Sequence, residues 1–316
     1  MVRTRLTALF AVVIVFVSAC SGAGDGATST EAGQATDTGF PVSVTTATGS
    51  VTVADRPSRI AALSATHVEM LYAIGAGDQL IAGDLFSNYP PEAAQLQQVD
   101  SFNLNVEAVV ALEPDLVVLS FDPVDAVAAL AAVGIPTLLL GTAGNLDDVY
   151  AQLGVLGAAT GHRDEAAAVV AGMAADIDAI VADVGDQASG LSYYHETDPI
   201  SFYTPSSLSF IGQIYGLLGL ESIADAAPDE FESGFPQLSP EFIIAANPDL
   251  LFLAGGGETL DTVAARQGWD TLTAVEVGNV FVLDPDVASR WGPRIVELLD
   301  DVAAAVAGAK VPVGAP

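Results

Sequence analysis

Basic side chains are scarce in this chain: Lys and Arg number 9 against 40 Asp and Glu, a formal net charge of −31 at pH 7. Binding a phosphate backbone needs clustered cations, so nucleic acid is excluded as a partner. Cysteine occurs once, at Cys20, which rules out an intrachain disulfide and a cysteine metal cluster. Catalytic signatures are missing too. There is no Gly-x-Ser-x-Gly elbow, no Walker phosphate loop and no His-Glu-x-x-His zinc helix. Gly75-Ala76-Gly77 follows a helical stretch and lacks a third glycine, so it reads as a helix stop rather than a dinucleotide loop. The chain is therefore read as a non-enzyme, with a surface enzyme as the remote alternative. After Val17 no apolar run is long enough to cross a bilayer.

What is present begins with a leader. Arg3 and Arg5 precede an apolar stretch over residues 6–17, and Val17-Ser18-Ala19-Cys20 follows it. Small residues before a cysteine form the pattern of a lipoprotein signal, so residues 1–20 are read as a signal peptide with Cys20 as the lipidated residue. Residues 21–39 are rich in Gly, Ala, Ser and Thr and read as a flexible tether. This order predicts a protein of the cell envelope, lipid-anchored to the outer face of the cytoplasmic membrane; the chain is expected to be a monomer. Arg3 and Arg5 belong to the leader, which leaves seven basic residues for everything after it. Such acidity suits a basic partner surface, a saline habitat or plain solubility.

The body repeats itself 134 positions on. The segment from Asn105 to Leu116, with Glu107, Pro114 and Asp115, is echoed from Ser239 to Leu250, with Glu241, Pro248 and Asp249. Each copy reads as a capping residue, a short helix with glutamate in its first turn, a proline break and a buried strand. Around these copies strands alternate with helices, the pattern of parallel sheets covered by helices. Residues 147–184 carry no strand pattern and read as one short helix followed by a long one. The expected fold is α/β: two doubly wound parallel-sheet lobes, residues 40–146 and 185–316, joined by a long rigid α-helix within 147–184.

Chemistry is sought in the loops after the strands, where ligands of open α/β sheets bind. Phe86, Tyr89, Phe102, Phe121, Tyr203, Phe231, Phe235 and Trp291 fall mainly there, and as a set they favour a large, partly apolar ligand. Cleft candidates are His67, Phe86, Phe121, His195, Tyr203, Arg290 and Trp291. Arg290 is placed either to meet an anionic ligand group or to form an internal salt bridge. His67 and His195, one in each lobe, leave open a bare zinc or manganese site completed by carboxylates. Glu107 and Glu241 are also what a helix dipole favours in a first turn, and their equivalence in two lobes is what sets them apart.

Ser58-Arg59-Ile60-Ala61-Ala62-Leu63-Ser64, Ile74-Gly75-Ala76-Gly77-Asp78, Asn88-Tyr89-Pro90, Leu112-Glu113-Pro114-Asp115-Leu116-Val117, Gly134-Ile135-Pro136 and Gly292-Pro293-Arg294-Ile295-Val296-Glu297 stand in this order behind the leader. Over residues 40–307 the chain resembles the substrate-binding lipoproteins of ABC importers for iron-siderophore complexes, haem and cobalamin. That resemblance implies two lobes on a helical backbone and a metal chelate, an iron-siderophore or a corrinoid, carried between them. It implies no covalent group besides the lipid on Cys20. It also gives Glu107 and Glu241 the role of docking onto the permease subunits. The family's tricatecholate binders use several cleft arginines that this chain lacks, so a hydroxamate siderophore or a corrinoid is the expected cargo.

Overall fold

The computed structural model describes residues 39–229 and 233–310; Cys20, the tether up to residue 38, Phe231 and residues 311–316 lie outside them. An antiparallel hairpin comes first, β1 (Val42–Thr46) and β2 (Gly49–Val53), as the alternation around Thr48-Gly49 predicts. It is followed by β3 (Ile60–Leu63), α1 (Ala65–Ala73), β4 (Leu80–Asp84), β5 (Gln97–Val99), α2 (Val106–Val110), β6 (Leu116–Leu119), α3 (Ala126–Ala132) and β7 (Thr137–Leu139). The last five strands make one parallel sheet in the order β5-β4-β3-β6-β7. Both β3 and β6 are buried at every position. Their unbroken apolar sequences suit this, because a parallel strand covered on both faces has no solvent side. The short edge strand β5, Gln97-Gln98-Val99, is too polar to announce itself in the sequence.

Next come α4 (Leu146–Thr160) and α5 (Arg163–Val184). The sequence predicts a short helix before the long one because its glycines look like interruptions. In fact α4 runs 15 residues straight through Gly154 and Gly157. Gly157 is needed where the two helices meet. A Cβ there would lie 2.5 Å from Ala166 Cβ and 2.8 Å from the His162 carbonyl oxygen, well inside contact distance.

The second lobe comprises β8 (Ser192–Glu196), α6 (Phe210–Gly216), β9 (Glu221–Ser222), α7 (Pro240–Ala246), β10 (Leu250–Leu253), α8 (Leu260–Ala264), α9 (Thr273–Val277), β11 (Val280–Val282), α10 (Pro285–Ser289) and α11 (Ile295–Gly308). Its strands are again all parallel, in the order β11-β10-β8-β9. Both α4 and α11 pack along α5. The fold is thus α/β with two parallel-sheet lobes, as the alternation of elements predicts.

The sequence repeat turns out to be a repeat of construction. Asn105 and Ser239 cap α2 and α7, accepting hydrogen bonds from the Ala108 and Phe242 amides. Eight positions on, Glu113 (φ 52°) and Asn247 (φ 47°) leave the helix in the left-handed region, immediately before Pro114 and Pro248. Next in each copy, Asp115 accepts from Ser58 N and Oγ at 2.8 and 3.0 Å and from Arg59 N at 3.0 Å. Asp249 accepts from Ser192 N and Oγ at 2.8 and 2.7 Å. Each aspartate therefore pins the start of the neighbouring strand, β3 or β8, and fixes the register in which β6 and β10 pair with them.

Candidate functional site

Strand order reverses at β3 in the first sheet and at β8 in the second, the places where open sheets leave a crevice at their carboxyl ends. Three aromatic side chains stand in water at that end of the first lobe. Phe86 follows β4, Phe102 follows β5 and Phe121 follows β6, exposed by 58%, 69% and 38%. The Phe102 ring lies edge-on to Phe86 at 6.4 Å between centroids and 5.5 Å from Phe121, so the three form one continuous surface. Carboxylates aim the loops. Buried Asp84, ending β4, accepts from Phe86 N at 2.9 Å and from Ser101 Oγ, while Asp100 accepts from Phe102 N at 3.0 Å. The result is an exposed apolar patch whose loops are fixed from beneath by carboxylates.

In the second lobe Tyr203 lies in the loop after β8 and is 44% exposed. Its carbonyl accepts from Thr197 Oγ1 at 2.5 Å, and it bridges to Gln237. Behind this loop Glu196, at the end of β8 and fully buried, is held by both terminal nitrogens of Arg266, whose guanidinium lies 4.7 Å over the Trp269 ring.

The carboxyl ends of the two sheets adjoin. Residues just beyond β11 bond to residues just beyond β3 and β4: Arg290 donates to Glu69 Oε1 at 2.5 Å, Asn88 Oδ1 at 3.0 Å and the Phe86 carbonyl at 2.8 Å. It also donates to Asp286 at 2.7 Å. Only 7% exposed, this guanidinium is committed to the protein. Of its two sequence readings, the internal salt bridge is the one realised. Glu69 escapes the sequence reading, although a carboxylate inside the apolar run Val68-Glu69-Met70-Leu71 is a visible signal.

Neither histidine reaches the crevice surface. His67 is fully buried, its Nε2 3.1 Å from Gln152 Oε1, which also accepts from Trp291 Nε1 at 3.1 Å. Burial holds its pKa down to about 4, against a small opposing effect of the Gln152 hydrogen bond. His195 is equally buried, with Nδ1 2.8 Å from Tyr215 Oη, and burial holds it down to about 3. Among the described residues no three His, Cys, Asp or Glu side chains gather to hold a metal ion. The bare-metal reading of His67 and His195 is thereby corrected: His67 is packed where α1 meets Gln152 of α4 and the second lobe's Trp291, and His195 is packed against Tyr215 within the second lobe. Trp291 is half-buried, edge-on to His67 at 6.1 Å, and serves the same packing.

Glu107 and Glu241 are both exposed in the first turns of α2 and α7, in the matching capped frames described above. A groove of about 660 Å³ between β2 and α3 touches Arg56, Asp115 and Pro136 at the amino ends of the first sheet's strands. None of Phe86, Phe102 and Phe121 lines it.

Residues 60–287 match the periplasmic binding protein family. The chain belongs to that family. Its relatives include an uncharacterized ABC transporter substrate-binding lipoprotein, YvrC, of Bacillus subtilis, 28% identical over 96% of this chain and 97% of its own. A vitamin B12-binding protein of Pectobacterium carotovorum is 31% identical over 76% of this chain and 85% of its own. Among solved structures, an ABC-type Fe3+-hydroxamate transport protein from Saccharomonospora viridis has the same fold, with TM-score 0.67 and 23% identity over 85% of this chain and all of that one. Periplasmic binding proteins are substrate-binding transport proteins, so this chain is not an enzyme. Among the described residues no helix is long and apolar enough to cross a membrane.

Proposed function

We propose that this chain is the receptor of an ABC importer and that its cargo is a corrinoid, held at the adjoining carboxyl ends of the two sheets. The observation that carries this reading is the continuous exposed surface of Phe86, Phe102 and Phe121. A broad, partly apolar macrocycle covers such a surface, whereas a small ion gains nothing from it. The name of the Pectobacterium relative supports the same class. A ferric hydroxamate is the second reading, favoured by the framing of the aromatic loops with carboxylates, Asp84 and Asp100, rather than cations. That framing repels a highly anionic catecholate complex.

Titration of the purified chain with cyanocobalamin, ferrioxamine and haemin, followed by calorimetry, tests the order of preference. Cyanocobalamin binds tightest on this reading; tighter ferrioxamine binding moves the cargo to the siderophore class. Replacing Phe102 and Phe121 together by alanine costs roughly 2 kcal/mol of binding, about 30-fold in Kd, at ~1 kcal/mol per aromatic contact. An unchanged Kd removes the aromatic surface from the site.

We assign Glu107 and Glu241 to docking on the two permease subunits, and Cys20 to the lipid that anchors residues 21–39 as a tether at the outer face of the cytoplasmic membrane. Replacing Cys20 by alanine then releases the protein from the membrane fraction; retention there refutes the anchor.

A further inference from the structure

One carboxylate, Glu69 of α1, stands almost fully buried between two guanidinium groups from the other lobe. Its Oε1 accepts from Arg290 at 2.5 Å and from Arg294 Nη2 at 2.8 Å, and its Oε2 accepts from Arg294 Nε at 3.1 Å. Both arginines belong to the stretch that links β11 to α11. Arg294 also lies 4.2 Å over the Tyr89 ring. Arg290 reaches further along the same loop, to the Phe86 carbonyl and to Asn88 Oδ1, and Asn88 Nδ2 returns a hydrogen bond to Asp286 at 2.7 Å. Four contacts on the loop after β4, at Phe86, Asn88 and Tyr89, thus come from the second lobe.

The loop's own lobe holds it nearer its root. Asp84 ties Phe86 N and Ser87 N, and Val99 O accepts from Leu85 N. Those bonds hold the amide side of Leu85, Phe86 and Ser87, whereas the Phe86 carbonyl and the Asn88 and Tyr89 side chains are gripped from across the crevice. A planar guanidinium with four bonds in fixed directions supplies that grip, and a lysine ammonium at the same place has neither the fork nor the reach.

We propose that Arg290, supported by Glu69 and Arg294, is a positioning residue for ligand binding: through it the second lobe sets the aromatic face of the first. The inference rests on the reading that Phe86 belongs to the ligand surface. Arg290 touches no ligand itself. Its bonds make the aromatic surface complete only while the two lobes keep their present relation, so cargo that binds this surface also fastens the lobes together.

The test compares the full chain with Arg290→Lys, Asn88→Ala and, as a control in the core, Ile177→Val. Hydrogen exchange without ligand is read at the amides of Leu85, Phe86 and Ser87, with α4 and α5 as internal reference. The expected result is exchange at least about tenfold faster at those three amides in both loop variants, with α4 and α5 unchanged. The same variants are titrated with cyanocobalamin, and the dissociation rate rises about tenfold or more; guanidination of the lysine introduced by Arg290→Lys, which restores a fork, reverses that rise in part. Exchange at residues 85–87 within twofold of the parent overturns the proposal. So does faster exchange throughout the molecule, which marks a merely structural role. Failure of the parent chain itself to bind cyanocobalamin strikes the corrinoid reading alone, since the exchange measurement needs no ligand.

Discussion

Two fully buried, neutral histidines make the stability of this protein sensitive to mild acid. His67 is held down to about 4 and His195 to about 3, both by burial, whereas an unfolded chain returns each to its ordinary value near 6.5. Below that ordinary value the unfolded state takes up protons that the folded state refuses, so stability falls as pH drops through 6.5 towards 4 for His67 and towards 3 for His195. Between pH 7 and pH 4.5, at ~1.36 kcal/mol per pH unit, His67 and His195 each account for roughly 2–3 kcal/mol. Together they remove about 5 kcal/mol, close to the whole stability of a marginal domain. Other groups titrate in the same window, so the informative quantity is a difference between variants. His67→Gln keeps a polar atom near the Nε2 position that meets Gln152, and His195→Asn keeps one near the Nδ1 position that meets Tyr215. Urea unfolding at pH 7, 6, 5 and 4.5 gives the curves. Each variant loses stability at pH 7 through imperfect packing, yet its curve is flatter than the parent's by about 2 kcal/mol over the range. Curves parallel to the parent's would refute the assignment of both groups as neutral and buried.

Further expectations follow from particular contacts. Reversing Glu107 and Glu241 to arginine abolishes uptake by cells while the ligand Kd of the purified protein stays unchanged; a weakened Kd places these residues in the binding site instead. Gly212→Ala prevents folding or costs more than about 4 kcal/mol, because a Cβ there would sit 1.9 Å from the Ser206 carbonyl oxygen, on backbone that cannot step aside. A thermal melt within a few degrees of the parent contradicts that packing. Asp249→Ala costs about 1–3 kcal/mol, more than Asp115→Ala, since the half-buried Ser192 amide and hydroxyl lose their acceptor whereas Ser58 is exposed to water. Equal losses in urea unfolding remove the difference in burial as the cause.

Most of the strand and helix order was legible because the buried parallel strands are unbroken apolar runs and the helices between them have recognisable ends. Ile60-Ala61-Ala62-Leu63 and Leu250-Leu251-Phe252-Leu253 leave no other reading once Pro or Gly bounds them. Strands that escaped, β5 and β9, are short, polar and paired on one side only, so no hydrophobic signal marks them. The aromatic loops were legible for a related reason: Phe86, Phe102 and Phe121 sit where helix and strand spacing require no large apolar side chain. The histidines misled because residue type alone does not report depth. A histidine at a strand end looks the same in a sequence whether it opens to a crevice or, like His195, is packed against Tyr215. Arg290 was read both ways for the same reason, and only the positions of Glu69, Asn88 and Asp286 decide between them.

The internal repeat also says where the two lobes are alike and where they part. Cap, glutamate, left-handed exit, proline, aspartate clamp and buried strand recur one for one from Asn105 to Leu119 and from Ser239 to Leu253. Correspondence stops at the next turn. Leu119 leads to Ser120 and the exposed ring of Phe121, whereas Leu253 leads to Ala254 and Gly255-Gly256-Gly257, two of them at φ 81° and 91° with no side chain to offer. On the docking role proposed above, a permease of two like subunits would meet like surfaces at Glu107 and Glu241, while a cargo held between the lobes would meet aromatic rings in the first lobe and the glycine turn in the second. The corrinoid proposed above would suit such an arrangement, one face stacking on the rings and groups on the other meeting the backbone of the glycine turn. Filling that backbone with Gly257→Val, at a position where a Cβ meets nothing within 4 Å, therefore weakens cargo binding more than it weakens the fold beyond its backbone strain. Equal binding by the variant and the parent would show that the cargo uses the aromatic wall alone.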